Sequence, residues 1–97
     1  MPNLEGFKAY ARLMPDDDDP SIKLCFDAAK EHAKSSGIPP ERFDEASPKL
    51  DLYIYAMAAH WYDNRAFETI GKPNEFILRK MAAMRLELMY NGGESDG

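Results

Sequence analysis

Prolines and glycines punctuate this sequence, and they constrain its fold more than any other feature. A capping residue directly precedes a proline at Asp19-Pro20 and again at Ser47-Pro48. Such a pair is typical of a helix start, because the cap accepts a hydrogen bond from a free backbone N–H and proline has no N–H to leave unpaired. Gly37 follows the first of these segments, and glycine commonly ends a helix in the left-handed conformation. Since no stretch shows useful strand-type alternation, the pattern predicts an all-α protein.

Four helices are predicted between these signals. Asn3 can cap the first helix, and Met14-Pro15 stops it because the residue before a proline avoids helical backbone angles. Asn74 can cap the fourth helix. The predicted helices are Leu4–Leu13, Pro20 to the residue before Gly37, Pro48–Thr69 and Glu75–Tyr90.

The third helix is apolar around most of its circumference, which predicts a central position in a small four-helix bundle. The segment from Gly37 to Ser47 is predicted to be a loop that Phe43 anchors to the core. A chain of 97 residues is expected to form one domain, over residues 1–91, followed by a disordered acidic tail over residues 92–97. The apolar residues of the third helix are Leu50, Leu52, Tyr53, Ile54, Met57, Ala58, Trp61, Tyr62 and Phe67.

Composition narrows the classes of function. Twelve basic and seventeen acidic residues give a formal charge of −5, which argues against binding nucleic acid through its phosphates. No apolar run is long enough for a membrane span, and the first residues lack the features of a secretory signal. The single cysteine, Cys25, suits a reducing cytoplasm and reads as a small core residue. With two histidines and one cysteine no zinc site is expected, and no cofactor is expected.

The fourth segment carries more apolar residues than one stripe requires. One hypothesis is that the surplus is buried against another subunit, since flexible methionine side chains suit surfaces that repack. The alternative is that a very small domain holds this helix deep in its core, with methionine filling gaps. The interface candidates are Ile77, Met81, Met84, Leu88 and Met89.

Three polar features could carry chemistry. His60 and Asp63 share a helical face and could form a histidine–carboxylate pair, or His60 could be bonded to backbone or to a neighbouring helix. No serine or cysteine nucleophile lies within local reach, and so a non-enzymatic protein is expected. Arg65 is predicted to be partly buried and to tie the third helix to an acidic loop, at Asp16–Asp19 or Asp44–Glu45, with a DNA contact as the alternative.

The four consecutive aspartates raise the question of calcium. If Asp16 is the first loop position, Ser21 stands where glycine is required, and position twelve is Asp27 rather than glutamate. The match is poor. A solvated turn that places negative charge at a helix N-terminus is the preferred interpretation.

The end of the third helix carries a recognisable string, His60-Trp61-Tyr62-Asp63-Asn64-Arg65, after an apolar run from Leu50. The string resembles the signature helix of the phage head–tail connector (adaptor) family, also labelled as phage DNA-packaging proteins. A short leading helix, the acidic turn and the second helix precede it in the order that is usual in the family, and so the resemblance covers residues 4–67. Two departures are His32, which stands where an aromatic is more usual, and a longer, methionine-rich fourth segment.

The resemblance implies a structural role in the virion. Its residues His60, Trp61, Tyr62, Asn64 and Arg65 would be a structural motif. Members form a ring, expected to be dodecameric, on the portal protein, where they extend the DNA channel and dock a stopper or tail protein. DNA would pass through without sequence-specific binding, and assembly would take place in the host cytoplasm. The alternative is a small helical interaction module or a helix-turn-helix regulator, although the segment after Gly37 is too long for the usual turn.

Overall fold

The computed structural model describes residues 2–44, 47–66 and 68–90, and within these ranges it is all-α, as predicted. The predicted acidic tail, residues 92–97, lies outside the described residues, as do Glu45 and Phe67. No strand occurs in the described part of the chain. The helices are Leu4–Tyr10 (α1), Pro20–Ser35 (α2), Pro48–Asp63 (α3), Glu75–Lys80 (α4) and Ala82–Tyr90 (α5), with a 3-10 helix at Pro40–Asp44.

Capping side chains start the helices where the sequence predicts, because each acceptor lies within reach of an N–H in the first turn. Gly37 has φ 97° directly after α2, in the left-handed region that favours glycine. The four predicted caps are confirmed: Asn3 accepts from the Gly6 N–H at 2.6 Å, Asp19 from Ser21 at 2.9 Å, Ser47 from Leu50 at 3.2 Å and Asn74 from Ile77 at 2.9 Å.

Helices α2 and α3 form a central antiparallel pair. Near the end of α2, His32 contacts Tyr53 near the start of α3, with 3.0 Å between Nε2 and Oη. At the opposite end, Asp19 before α2 lies beside Arg65 after α3. Between them lies a single core, whose fully enclosed side chains include Ile22, Cys25, Ala29, Ala33, Leu50, Tyr53, Ile54, Met57, Ala58 and Trp61.

The remaining helices pack on different sides of this pair. Helix α1 contacts α3 through Tyr55, whose ring centroid lies 6.4 Å from that of Phe7. Helix α5 contacts α3 through an ion pair of 2.6 Å between Lys49 and Glu87. At about 100° per residue, Lys49 and Tyr55 lie roughly 120° apart around α3. Helix α1 and the C-terminal helices therefore cover different flanks of the central pair.

Three predicted boundaries are corrected. Helix α1 ends at Tyr10 rather than Leu13, and Arg12 adopts φ 61° in the turn that follows. Helix α3 ends at Asp63 rather than Thr69, with Asn64 as its C-cap, and the side-chain Nδ2 of Asn64 donates to the His60 carbonyl at 2.9 Å.

The predicted fourth helix is two helices, separated by a turn at Met81. No proline or glycine marks this break, and so the sequence pattern does not predict it. The predicted loop before α3 contains the 3-10 helix Pro40–Asp44. Its Phe43 packs against the core, as expected. None of the helices in the described ranges has the length and apolar character needed to cross a membrane.

Candidate functional site

The six residues His60–Arg65 at the end of α3 lie partly in the core and partly at its edge. Trp61 is fully buried, and its ring stands edge-on to the His32 ring with 6.0 Å between centroids. Its indole Nε1 has no hydrogen-bond partner among the described residues. Trp61 thus serves as a packing residue at the centre of the molecule.

His60 connects α3 to the start of α4. Its Nε2 lies 2.8 Å from Oε1 of Glu68, and the other carboxylate oxygen of Glu68 accepts from Nδ2 of Asn74 at 2.5 Å. Asn74 also caps α4, and so one chain of hydrogen bonds joins the end of one helix to the beginning of another. Of the two interpretations of His60, the pair with Asp63 does not form, because His60 turns to Glu68 and Asp63 is exposed.

Arg65 lies beside the acidic turn Asp16–Asp19, which is one of its two predicted partners. Its Nη2 is 4.0 Å from Oδ2 of Asp19, its guanidinium lies 4.1 Å from the centroid of the Tyr62 ring, and its Nη1 donates to the Tyr62 carbonyl. The expected burial is corrected, since α3 ends before Arg65 and its side chain is 41% exposed. Partial burial and the nearby Asp19 raise the pKa of Tyr62 above its ordinary value, and Arg65 opposes that rise.

The acidic turn organises the start of α2. Oδ1 of Asp17 accepts from the Asp19 N–H at 3.1 Å, while Asp16 and Asp18 are exposed. Across residues 2–44, 47–66 and 68–90, no three His, Cys, Asp or Glu side chains are arranged to hold a metal ion. The turn therefore places negative charge beside a helix N-terminus, where it is favourable.

Cys25 is a core thiol. It is fully buried, and burial raises its pKa to about 11, against the opposing charge of Arg65. A thiol with so high a pKa stays protonated and is a weak nucleophile at neutral pH.

His32 forms a polar contact with the hydroxyl of Tyr53 that the sequence does not predict. Its ring stacks on that of Tyr53 at 6.0 Å and 19°, and Arg85 donates to the Ser36 carbonyl at 3.2 Å beside them. Burial and the charge of Arg85 lower the pKa of His32. Burial also raises the pKa of Tyr53. The only signal in the sequence is a histidine within the apolar stripe of α2.

The predicted interface residues belong in part to the core of the single chain. Ile77, Met81 and Leu88 are 5%, 7% and 0% exposed, which corrects the prediction that they face another subunit. The reason is that α4 and α5 supply the cover for a flank of α2 and α3 that would otherwise meet water. Met84 and Met89 are half-buried and pack against the same core. The alternative interpretation, in which this segment belongs to the core of the domain and its methionines fill gaps, therefore describes them better.

Four of the eight large apolar side chains that are exposed among the described residues lie on α4 and α5, and these four are called the outer face. Phe76 is 66% exposed and Tyr90 is 74% exposed, with Leu78 at 39% and Leu86 at 47%. These large side chains remain in water after the core is complete. Single exposed apolar residues are ordinary, but several on 16 consecutive positions form a candidate contact surface.

The surface clefts carry little chemistry. One of about 370 Å³ is lined by Lys34, Ile38, Pro40, Phe43 and Asp44. Another of about 360 Å³ is lined by Glu5, Lys8, Ala9, Leu13 and Pro15. Neither set of lining residues includes a serine, cysteine or histidine.

Comparisons with protein-family models, with curated proteins and with solved structures find no match to this chain.

Proposed function

We propose that this chain is a structural assembly subunit of the phage head–tail connector type. It forms a ring on a portal protein, extends the channel through which DNA passes and offers a docking surface to a stopper or tail protein. The observation that carries the proposal is the outer face of α4 and α5, where Phe76 and Tyr90 stay largely in water. A second subunit or a portal would cover such side chains.

The likeness of the string at the end of α3 gives independent support. Its residues have partners within the fold: His60 binds Glu68, and Asn64 binds the His60 carbonyl. Such contacts suit a structural motif rather than a set of reacting groups. We infer that the motif fixes where α3 ends and where α4 begins, and thereby orients the outer face.

The alternative, a helix-turn-helix regulator, has less support. The described helices α2 and α3 are separated by residues 36–47, including a 3-10 helix, whereas that motif uses a turn of about 3–4 residues. The formal charge of −5 also opposes binding to a duplex.

The test is the location of the protein in tailed particles. Antibodies against the chain should label the head–tail junction of purified virions from the phage or prophage that encodes it, and peptides of the chain should be recovered from those virions. The proposal is overturned if purified virions lack the protein. A specific gel shift with a short duplex at low salt would favour the regulator instead.

A further inference from the structure

We propose that copies of this chain join head to tail, with the acidic surface of one copy docked on the basic surface of the next. The acidic surface consists of Met14, Asp16 and Asp18, and the basic surface of Phe76, Arg79 and Lys80. This inference deepens the proposed function and rests on its premise that the chain self-associates. It names the contact that would build the ring.

The acidic surface combines a large apolar side chain with negative charge. Met14 is 66% exposed, and Asp16 and Asp18 are exposed beside it. Residues 14–19 contain four aspartates and no basic residue, and so their formal charge is −4. Lys8 of α1 donates to the Pro15 carbonyl at 3.0 Å, which holds this turn on the α1 flank.

The basic surface has the complementary composition. Arg79 and Lys80 follow Phe76 by three and four positions and therefore share its helical face. Nζ of Lys80 lies 5.8 Å from the centroid of the Phe76 ring. Arg79 is 80% exposed, and its ion pair with Glu75 at 3.8 Å is worth little in water, so the guanidinium can take a new carboxylate partner.

Among the residues that the structure describes, no ion pair joins the two surfaces within one copy. The acidic turn follows α1, which contacts Tyr55 of α3. Helix α4 is tied through Glu68 to His60 of α3, which lies five positions further along, roughly 140° around the axis. Because α1 and α4 are anchored at different points around α3, we infer that the opposite charges of the two surfaces pair between copies.

Complementarity between two surfaces of the same chain favours a second copy as the occupant. Each surface presents one large apolar side chain that is 66% exposed, Met14 on the acidic surface and Phe76 on the basic surface. Negative charges flank Met14, and positive charges flank Phe76. A contact between unlike surfaces is heterologous, and repeated copies close into a ring or grow as a filament. Ring formation is the geometry that the proposed function requires.

Cross-linking between variants that each carry one added surface cysteine tests the pairing directly. Met14→Cys and Phe76→Cys protein are mixed in equal amounts at high concentration and oxidised, and the disulfide-linked pairs are identified by mass spectrometry. Cys25 is fully buried and can be retained. The 14–76 pair should exceed the 14–14 and 76–76 pairs by about tenfold or more. A 14–76 yield no more than about twice that of each like pair, which is the ratio that random collision gives, would overturn the proposal, and so would the absence of any cross-linked pair.

Charge reversal provides a second, independent measurement by sedimentation. Lys80→Glu and Asp18→Lys should each weaken self-association by about fivefold or more, and the two combined in one chain should restore it. Lys34→Glu changes the net charge equally at an exposed position outside both surfaces, and it should have little effect. Added salt should weaken the wild-type contact. Loss of association without restoration in the double variant would contradict the pairing.

These outcomes separate this contact from the proposed function. A protein that is found at the head–tail junction but gives no 14–76 cross-link retains the connector assignment and loses the head-to-tail contact. A protein that gives the 14–76 cross-link but is absent from virions retains the head-to-tail contact and loses the connector assignment.

Discussion

At the scale of single residues, α1 meets α3 at a point where only a glycine fits. A Cβ added to Gly6 would overlap Oη of Tyr55 and lie 2.9 Å from its Cζ. The same hydroxyl accepts from the Asn3 N–H at 3.1 Å, so it is held in place. Close approach of the two helices therefore depends on the missing side chain.

Replacing Gly6 with alanine should destabilise the fold by about 1–2 kcal/mol, because the overlap outweighs the better helix propensity of alanine. Denaturant titration followed by the fluorescence of Trp61, the single tryptophan, measures this free energy of unfolding. The same substitution should cost less in a Tyr55→Phe background, where the hydroxyl is gone. A stabilised Gly6→Ala variant would contradict the packing described for α1.

His32 should make the stability of the fold depend on pH. Burial and Arg85 lower its pKa in the folded state, while the unfolded chain keeps a value of about 6.5. Below that value the unfolded chain binds more protons than the folded one, and so stability is complete above about pH 6.5 and declines as the pH falls toward the folded pKa.

Comparison of wild type with His32→Phe at about pH 7.5 and 5.5 isolates this contribution. The wild type should lose more stability on acidification than the variant, which keeps an aromatic ring against Tyr53. Equal losses in the two proteins would show that His32 does not set the pH dependence.

At the scale of helices, the starts are easier to derive from the sequence than the ends. A cap acts through its own side chain on an N–H two or three residues away, and so Asn3, Asp19, Ser47 and Asn74 could be identified locally. The end of α3 depends on Asn64 turning back to the His60 carbonyl, which a helical pattern does not reveal.

The orientation of the C-terminal helices could not be derived from the sequence because both of their faces are apolar. Contacts distant in sequence decide it: Lys49 with Glu87, and Arg85 with the Ser36 carbonyl. Helical periodicity does not reveal such pairs, and so it could not decide between a subunit interface and the core of the domain for the buried stripe.

The matched pair Leu86 and Leu88 tests this orientation. Leu88→Ala should cost about 2–5 kcal/mol, because it opens a cavity in a fully buried site. Leu86→Ala, at a side chain that is 47% exposed, should change stability by no more than about 0.5 kcal/mol. The two free energies come from the same denaturant titration. Similar costs at both positions would mean that α5 packs through a different face.

At the scale of the whole molecule, Cys25 reports on opening of the core. Its thiol is enclosed between α2 and α3, and burial raises its pKa to about 11. A thiol reagent should therefore react very slowly with the native protein, and the rate should rise with urea in parallel with unfolding. The rate of the urea-unfolded chain provides the reference.

Arg65→Ala is the informative variant for that measurement. Because the pair with Asp19 is 4.0 Å long and partly exposed, its loss should cost at most about 1 kcal/mol and speed the reaction of Cys25 by no more than about fivefold. A much larger acceleration would show that Arg65 stabilises the core more strongly than a partly exposed ion pair does.

The placement of α1 and the C-terminal helices on different flanks gives each subunit a direction. When two subunits join through unlike flanks, one flank of each subunit remains unbound. Further subunits can bind there, and so assembly does not stop at the dimer. Assembly ends only when the free flank of the last subunit binds the free flank of the first and closes a ring, or when a template such as the portal sets the number of subunits. A small admixture of subunits with one flank disabled should then act as chain terminators, arresting assembly at a dose far below that of the intact protein.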